Sequence, residues 1–128
     1  MKIILALIVF SFVSVHANAA DAWSKSDTTR EIAYLALHVA DWGQTRNIVH
    51  RSNTGCDGDS TCIERNPFLG RNPSIRRVDT YFAVTALAHV AISHALPKDW
   101  RQGWQYVTIG MEAGVVGHNY SIGLNVDF

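Results

Sequence analysis

Three stretches long enough to be helices carry almost no charge: residues 80–96 have none, residues 102–126 only Glu112, and residues 32–45 only Asp41. A helix on the outside of a bundle in water has to show the solvent a charged or polar face. The polar residues here are few and fall in narrow stripes: Tyr34, His38, Asp41 and Thr45; Tyr81, Thr85, His89 and Ser93; Gln105, Thr108, Glu112 and Asn119. Spacings of three, four and seven place each set on one helix face. In water those stripes would be the outside of the bundle, whereas against lipid they would turn inward and satisfy one another. The uncharged second stretch favours lipid. So do Gly110, Gly114 and Gly117, which let membrane helices approach closely, and Trp100, Trp104, Tyr106 and Tyr120 near the ends of the third stretch. Against it stand Asp41, Arg46 and spans of marginal length, which suit a soluble bundle packed through the same glycines.

The N-terminus carries its own signal. Lys2, an apolar run over residues 3–15 and Ala17-Asn18-Ala19 make the three-part pattern of a secretory signal peptide cleaved after Ala19. That apolar run is short for a retained span, which needs about 20 residues. The chain of 128 residues therefore reads as a signal peptide over 1–19 and a single helical domain over 20–128. With 11 basic and 11 acidic side chains, it offers no electrostatic case for nucleic acid.

Local signals order the domain as an all-α three-helix bundle with one long loop after the first helix. Thr28-Thr29-Arg30-Glu31 fits a capping box, so a first helix is expected over about 29–50. The stretch from Ser52 to Pro73 is dense in turn formers and has two Asn-Pro steps, which excludes a long regular element. Ser74 caps a second helix that Pro97 stops, and Asp99 with Gln102 opens a third that reaches about Asn119. Six of the eight Arg residues (Arg46, Arg51, Arg65, Arg71, Arg76 and Arg77) lie in or beside the loop, which the positive-inside rule puts in the cytoplasm. Cys56 and Cys62 instead read as a small disulfide loop, which forms only on the oxidising side. The two agree only if the first helix lies in the interface instead of spanning.

Asp41, His89 and Glu112 lie at similar depths in their helices, so an up-down-up bundle could bring them together. Such a group could act as acid and base, share a proton, or bind a metal with His38 and His118. The alternative is a satisfied polar network that fixes helix register, completed by Gln44, Thr45, Thr85 and Asn119. No zinc spacing such as His-Glu-x-x-His occurs, and Asp57-Gly58-Asp59-Ser60 lacks the remaining ligands of a calcium loop. In the loop, Glu64 and Asn66 are expected to bond the ends of neighbouring helices, with Gly70 supplying an unusual dihedral. Arg65, Arg71, Arg76 and Arg77 would present a surface to anionic lipid headgroups or a partner protein. No nucleophile elbow, phosphate-binding loop or dinucleotide fingerprint is present, and no cofactor is expected.

Asp41-Trp42-Gly43-Gln44-Thr45, then Glu64-x-Asn66-Pro67-x-Leu69-Gly70-x-x-Pro73-Ser74, then Tyr81-Phe82 resemble small uncharacterised helical envelope proteins of bacteria and their phages. The resemblance covers most of the domain and implies a hydrophobic helical protein of the bacterial cell envelope, in the inner membrane or periplasm. It carries no activity, and the Cys56 to Cys62 insert has no place in its pattern. The leading expectation is a non-enzymatic exported protein, membrane-embedded or membrane-associated, that works by contact with lipid, a membrane protein or a second copy of itself. The alternatives are a membrane-embedded metal or acid–base site at Asp41, His89 and Glu112, and a soluble periplasmic bundle that binds through its Arg-rich loop.

Overall fold

A computed structural model of the chain describes residues 21–55 and 62–128. The N-terminal signal pattern, the segment Asp57-Gly58-Asp59-Ser60 and Cys56 lie outside the described residues. Cys62 is buried at 4% exposure and is not a free thiol. Among the described residues the chain is all-helical: α1 (Lys25–Asn53), α2 (Ile75–Ala95) and α3 (Lys98–Ser121), with no strand.

The first helix starts one turn earlier than its Thr28 capping box indicates. Ser24 is the N-cap, its hydroxyl accepting from the Asp27 amide while the Asp27 carboxylate accepts from the Ser24 amide. Two overlapping boxes compete here. The earlier one prevails because Asp27 gains Arg101 from α3 and Arg30 from its own helix, while Glu31 is drawn inward to His89. Thr28 and Thr29 bond back to carbonyls one turn earlier, as helix-interior threonines do. Ser74 caps α2, and its hydroxyl accepts from the Arg77 amide. α3 begins directly after Pro97 without a side-chain cap of its own. Its first amide, on Lys98, is taken by the distant Asp21 carboxylate at 2.7 Å, so the Asp99–Gln102 start is displaced by tertiary contact.

α1 is the central helix, packed along both α2 and α3, which meet each other only weakly. All three polar stripes turn inward: Tyr34, His38, Thr45, His89, Ser93 and Gln105 are buried. The surface around them is apolar, with Leu87 72% and Met111 66% exposed, and Ile32, Val84 and Val107 similarly open. Among the described residues an apolar cluster of Val49, Leu69, Val78 and Phe82 lies beneath Trp42, Ile75 and Tyr81. Exposed charges gather at the two ends, Lys25, Lys98 and Asp99 at one and Arg65, Arg71, Arg76 and Arg77 at the other. No helix among the described residues is long and apolar enough to cross a membrane. Along α2 the uncharged outer face from Thr80 to Ala95 runs about 24 Å at 1.5 Å per residue, less than a hydrocarbon core of about 30 Å.

The segment after α3 folds back on α1. Gly123 adopts φ 84°, the Asp127 amide donates to the Gly43 carbonyl, and Trp42 meets the Phe128 ring. A Cβ on Gly43 would lie 2.5 Å from Val126, so glycine is what lets this strap seat.

Candidate functional site

The inward stripes build one polar column along the bundle, and it divides into two regions on either side of Tyr34. The Tyr34 ring stacks on His89 at 3.5 Å between centroids and faces His38 at 5.3 Å. Burial, followed by the charges of Glu112 and Glu31, pushes its phenol well above the ordinary value. It is therefore a neutral spacer.

Towards the α2–α3 turn, acids and bases are matched. Arg101, 1% exposed, donates to Asp27 Oδ2 at 3.2 Å and to the carbonyls of Ser93, Leu96 and Asp21. Gln105 donates to Glu31 Oε2 at 2.8 Å and accepts from Arg30. Burial works to raise the Asp27 carboxyl, but the hydroxyl and amide of Ser24, with Arg101, outweigh it and hold the group at about 2. Burial lowers His89 below the ordinary histidine value in spite of Glu31. His89 Nδ1 lies 2.8 Å from Glu31 Oε1 and its Nε2 2.9 Å from the Thr108 hydroxyl, which also bonds the Trp104 carbonyl one turn earlier.

Towards the α1–α2 connection the balance is lost. His38 Nδ1 lies 2.7 Å from Glu112 Oε1, and Nε2 lies 3.1 Å from the Phe82 carbonyl. Nε2 also lies 3.0 Å from the Thr85 hydroxyl, and a charge on the ring would be shared with Glu112. Burial opposes that charge, but Glu112 outweighs it and His38 is raised. Among the described residues only Asn119 donates to Asp41, at 3.2 Å. Burial, then the charges of Glu112 and Glu64, push its carboxyl up to about 7. Glu64 is also raised by burial. Its Oε1 accepts the Asn66 amide, while Oε2, like Glu112 Oε2, is buried without a hydrogen-bond partner among the described residues.

Asp41, Glu64 and Glu112 line a cavity of about 720 Å³ between α3 and the segment around Glu64, floored by α1. Its α3 wall includes Gly110 and Gly114, and Arg65 and His118 stand exposed on its margin. Of the residues singled out in the sequence, Asp41 and Glu112 thus share a site. His89 does not join them, being bonded to Glu31 and Thr108 on the other side of Tyr34. Among the described residues no group of three or more His, Cys, Asp and Glu side chains is placed to hold a metal ion. His38, Asp41, His89, Glu112 and His118 are accordingly spread along the column and its margin. Arg71 and Arg76 are exposed, and Arg77 donates to the Phe68 carbonyl.

Glu64 and Asn66 do not tie the ends of neighbouring helices, as the sequence pattern indicates. They shape their own turn: Asn66 accepts the Phe68 amide at its side chain and the Leu69 and Gly70 amides at its carbonyl, and Gly70 takes φ 80°. This is the cheaper solution, because short-range Asx bonding is available before any helix end is in reach. Sequence reasoning also missed Asp27, Glu31 and Arg101 as members of the column. The signal was present: Asp27 and Glu31 continue the stripe of Tyr34, His38 and Asp41 backwards by the same three–four spacing, and Arg101 does so for Gln105 and Thr108.

Comparison with family models, with curated proteins and with solved structures finds no match for this chain.

Proposed function

We propose that this chain is a small exported protein of the bacterial cell envelope that associates with a membrane and acts by contact with lipid or a membrane protein. One observation carries the reading: the bundle is polar within and apolar without. Exposed Leu87, Met111, Ile32, Val84 and Val107 lie around a core of Asp27, Glu31, His38, His89, Arg101 and Gln105. Water gives no reason for that arrangement, since a soluble domain stabilises itself by burying such apolar side chains. An apolar environment does, because there the polar groups are better satisfied by one another. The belt, about 24 Å wide along α2, suits partial immersion more than a span. Arg65, Arg71, Arg76 and Arg77 at one edge supply positive charge for anionic headgroups, each contributing about 1 kcal/mol near such a surface. Export is supported by Lys2, the apolar run and Ala17-Asn18-Ala19.

Cell fractionation tests the proposal. The chain is expected in the membrane fraction after a carbonate wash, released by detergent, and floating with lipid vesicles when purified. Release by osmotic shock without detergent would overturn it in favour of a soluble periplasmic bundle. A membrane-impermeant thiol reagent, applied before and after reduction, then reports on which side Cys56 and Cys62 lie.

A further inference from the structure

We infer that the cavity between α3 and the segment around Glu64 holds one acyl chain of an anionic phospholipid, with the lipid phosphate on Arg65 and Arg71. This names a specific lipid site within the membrane contact proposed above, and it rests on that reading for the supply of the lipid. The volume of about 720 Å³ is that of a small-molecule site, for which about 300–1,000 Å³ is usual. Most of the accessible wall is apolar, with Ile48, Ile63, Met111, Val115 and Leu124 contributing. The carboxyl groups around it offer a ligand little: Glu112 Oε1 is engaged by His38, and Glu112 Oε2 and Glu64 Oε2 are sealed from anything the size of water. An occupant therefore gains chiefly by covering apolar surface.

The α3 side of the cavity is continuous with the apolar belt. Met111 and Val115 line the cavity and are themselves 66% and 45% exposed. Between them in the wall stand Gly110 and Gly114, and a Cβ on either would meet nothing within 4 Å. The α3 backbone thus lies open along this side, and a methylene chain can pack against it. With the belt immersed, the mouth of the cavity faces hydrocarbon, so the space fills with an acyl chain from the surrounding lipid in preference to water, which an apolar wall gives few partners.

On the side of the Glu64 segment the wall turns cationic. Ile63, Glu64 and Arg65 belong also to a second hollow of about 380 Å³, which Arg71 completes. Both arginines are exposed, whereas Glu64 is only 8% exposed and its Oε1 is held by the Asn66 amide. The charge this hollow presents outward is therefore positive. A guanidinium offers a planar fork of donors that matches the oxygens of a phosphate. Apolar wall, then Ile63, then two guanidiniums is the order of a phospholipid read from its chain to its phosphate. A zwitterionic headgroup brings a phosphate as well, but its own ammonium offsets the net charge that draws an anionic headgroup to arginine.

Native mass spectrometry of the purified full chain in detergent, titrated with phosphatidylglycerol or with phosphatidylcholine of the same acyl chains, tests the site, and vesicle flotation tests the membrane reading separately. One phosphatidylglycerol per chain is expected to be retained, at least about tenfold more tightly than phosphatidylcholine. Arg65→Ser combined with Arg71→Ser should abolish that preference and leave the helical spectrum unchanged. Gly114→Leu, placed where a side chain meets nothing within 4 Å, should fill the cavity and weaken retention of both lipids about tenfold while flotation persists. Equal retention of the two lipids, retention that survives Gly114→Leu, or a dimer that carries no lipid would overturn the assignment. Flotation without a retained lipid would overturn it and leave the membrane reading standing. Retention without flotation would support the site and count against the membrane reading alone.

Discussion

The two halves of the polar column are built from the same residue types but reach opposite outcomes. Beside the α2–α3 turn, both oxygens of Asp27 and both of Glu31 accept hydrogen bonds, and two arginines balance the two carboxylates. Beside the α1–α2 connection, Asp41, Glu64 and Glu112 face one another with His38 bonded to Glu112, and among the described residues Glu64 Oε2 and Glu112 Oε2 are buried without partners. A buried charge is tolerated where its partners are complete, and where they are not it keeps its proton. The matched half is a clamp for the fold. The unmatched half is the chemically poised one.

The strongest way to break this comparison is at Arg101. Arg101→Ala strands Asp27 in a buried site and removes donors from three carbonyls, so a loss of about 3–5 kcal/mol is expected in denaturant titration. Pairing it with Asp27→Asn should recover part of that loss, because the stranded charge is then gone. If Arg101→Ala changes stability by less than about 1 kcal/mol, the matched half is not a clamp.

A smaller effect of opposite sign is expected at Asp41. Its folded carboxyl holds its proton up to about 7, whereas the ordinary value is 3.8. The native state therefore binds more protons than the unfolded chain between those values, and the group's contribution to stability falls as pH rises through this window. Asp41→Asn should stabilise the chain by about 1–2 kcal/mol near pH 8 and leave it almost unchanged near pH 4. Asp27 behaves in reverse: its depressed carboxyl contributes stability above its ordinary value of 3.8, which is lost as pH falls through about 2. Parallel pH titrations of the wild type, Asp41→Asn and Asp27→Asn would separate the halves. A pH-independent effect of Asp41→Asn would mean that its carboxyl is not strained by burial.

The smallest effect on the fold is expected where arginine stands outside the column. Replacing Arg65, Arg71, Arg76 and Arg77 together by serine should move stability by no more than about 0.5 kcal/mol per site, in contrast to the buried Arg101. The same variant should lose affinity for anionic vesicles at about 1 kcal/mol per charge and keep its affinity for uncharged ones. Undiminished binding to anionic vesicles would remove these arginines from the lipid contact.

Much of the bundle is legible in residue order because helix caps and faces are local properties. Ser74 and Pro97 bound the second helix where the sequence places them, and the three–four spacing marks the faces that pack. The sequence also named Asp41 and Glu112, since a carboxylate in an otherwise uncharged helix stands out. It misplaced the start of α1, where Thr28 and Ser24 offer rival caps whose contest is decided by Arg101, 74 residues away from Asp27. It also grouped His89 with Asp41 and Glu112, because depth along a helix does not reveal which acid a histidine will face.

What the sequence determined by itself was that three helices would form and that each would carry one narrow polar stripe, because propensity, capping and period are set within a few turns. Only the tertiary structure decided that the stripes face one another, that Glu31 takes His89 while Glu112 takes His38, and that Glu64 joins Asp41 at a cavity. Those outcomes depend on the balance of desolvation against pairing between residues far apart in the chain, and that balance exists only once the helices have docked.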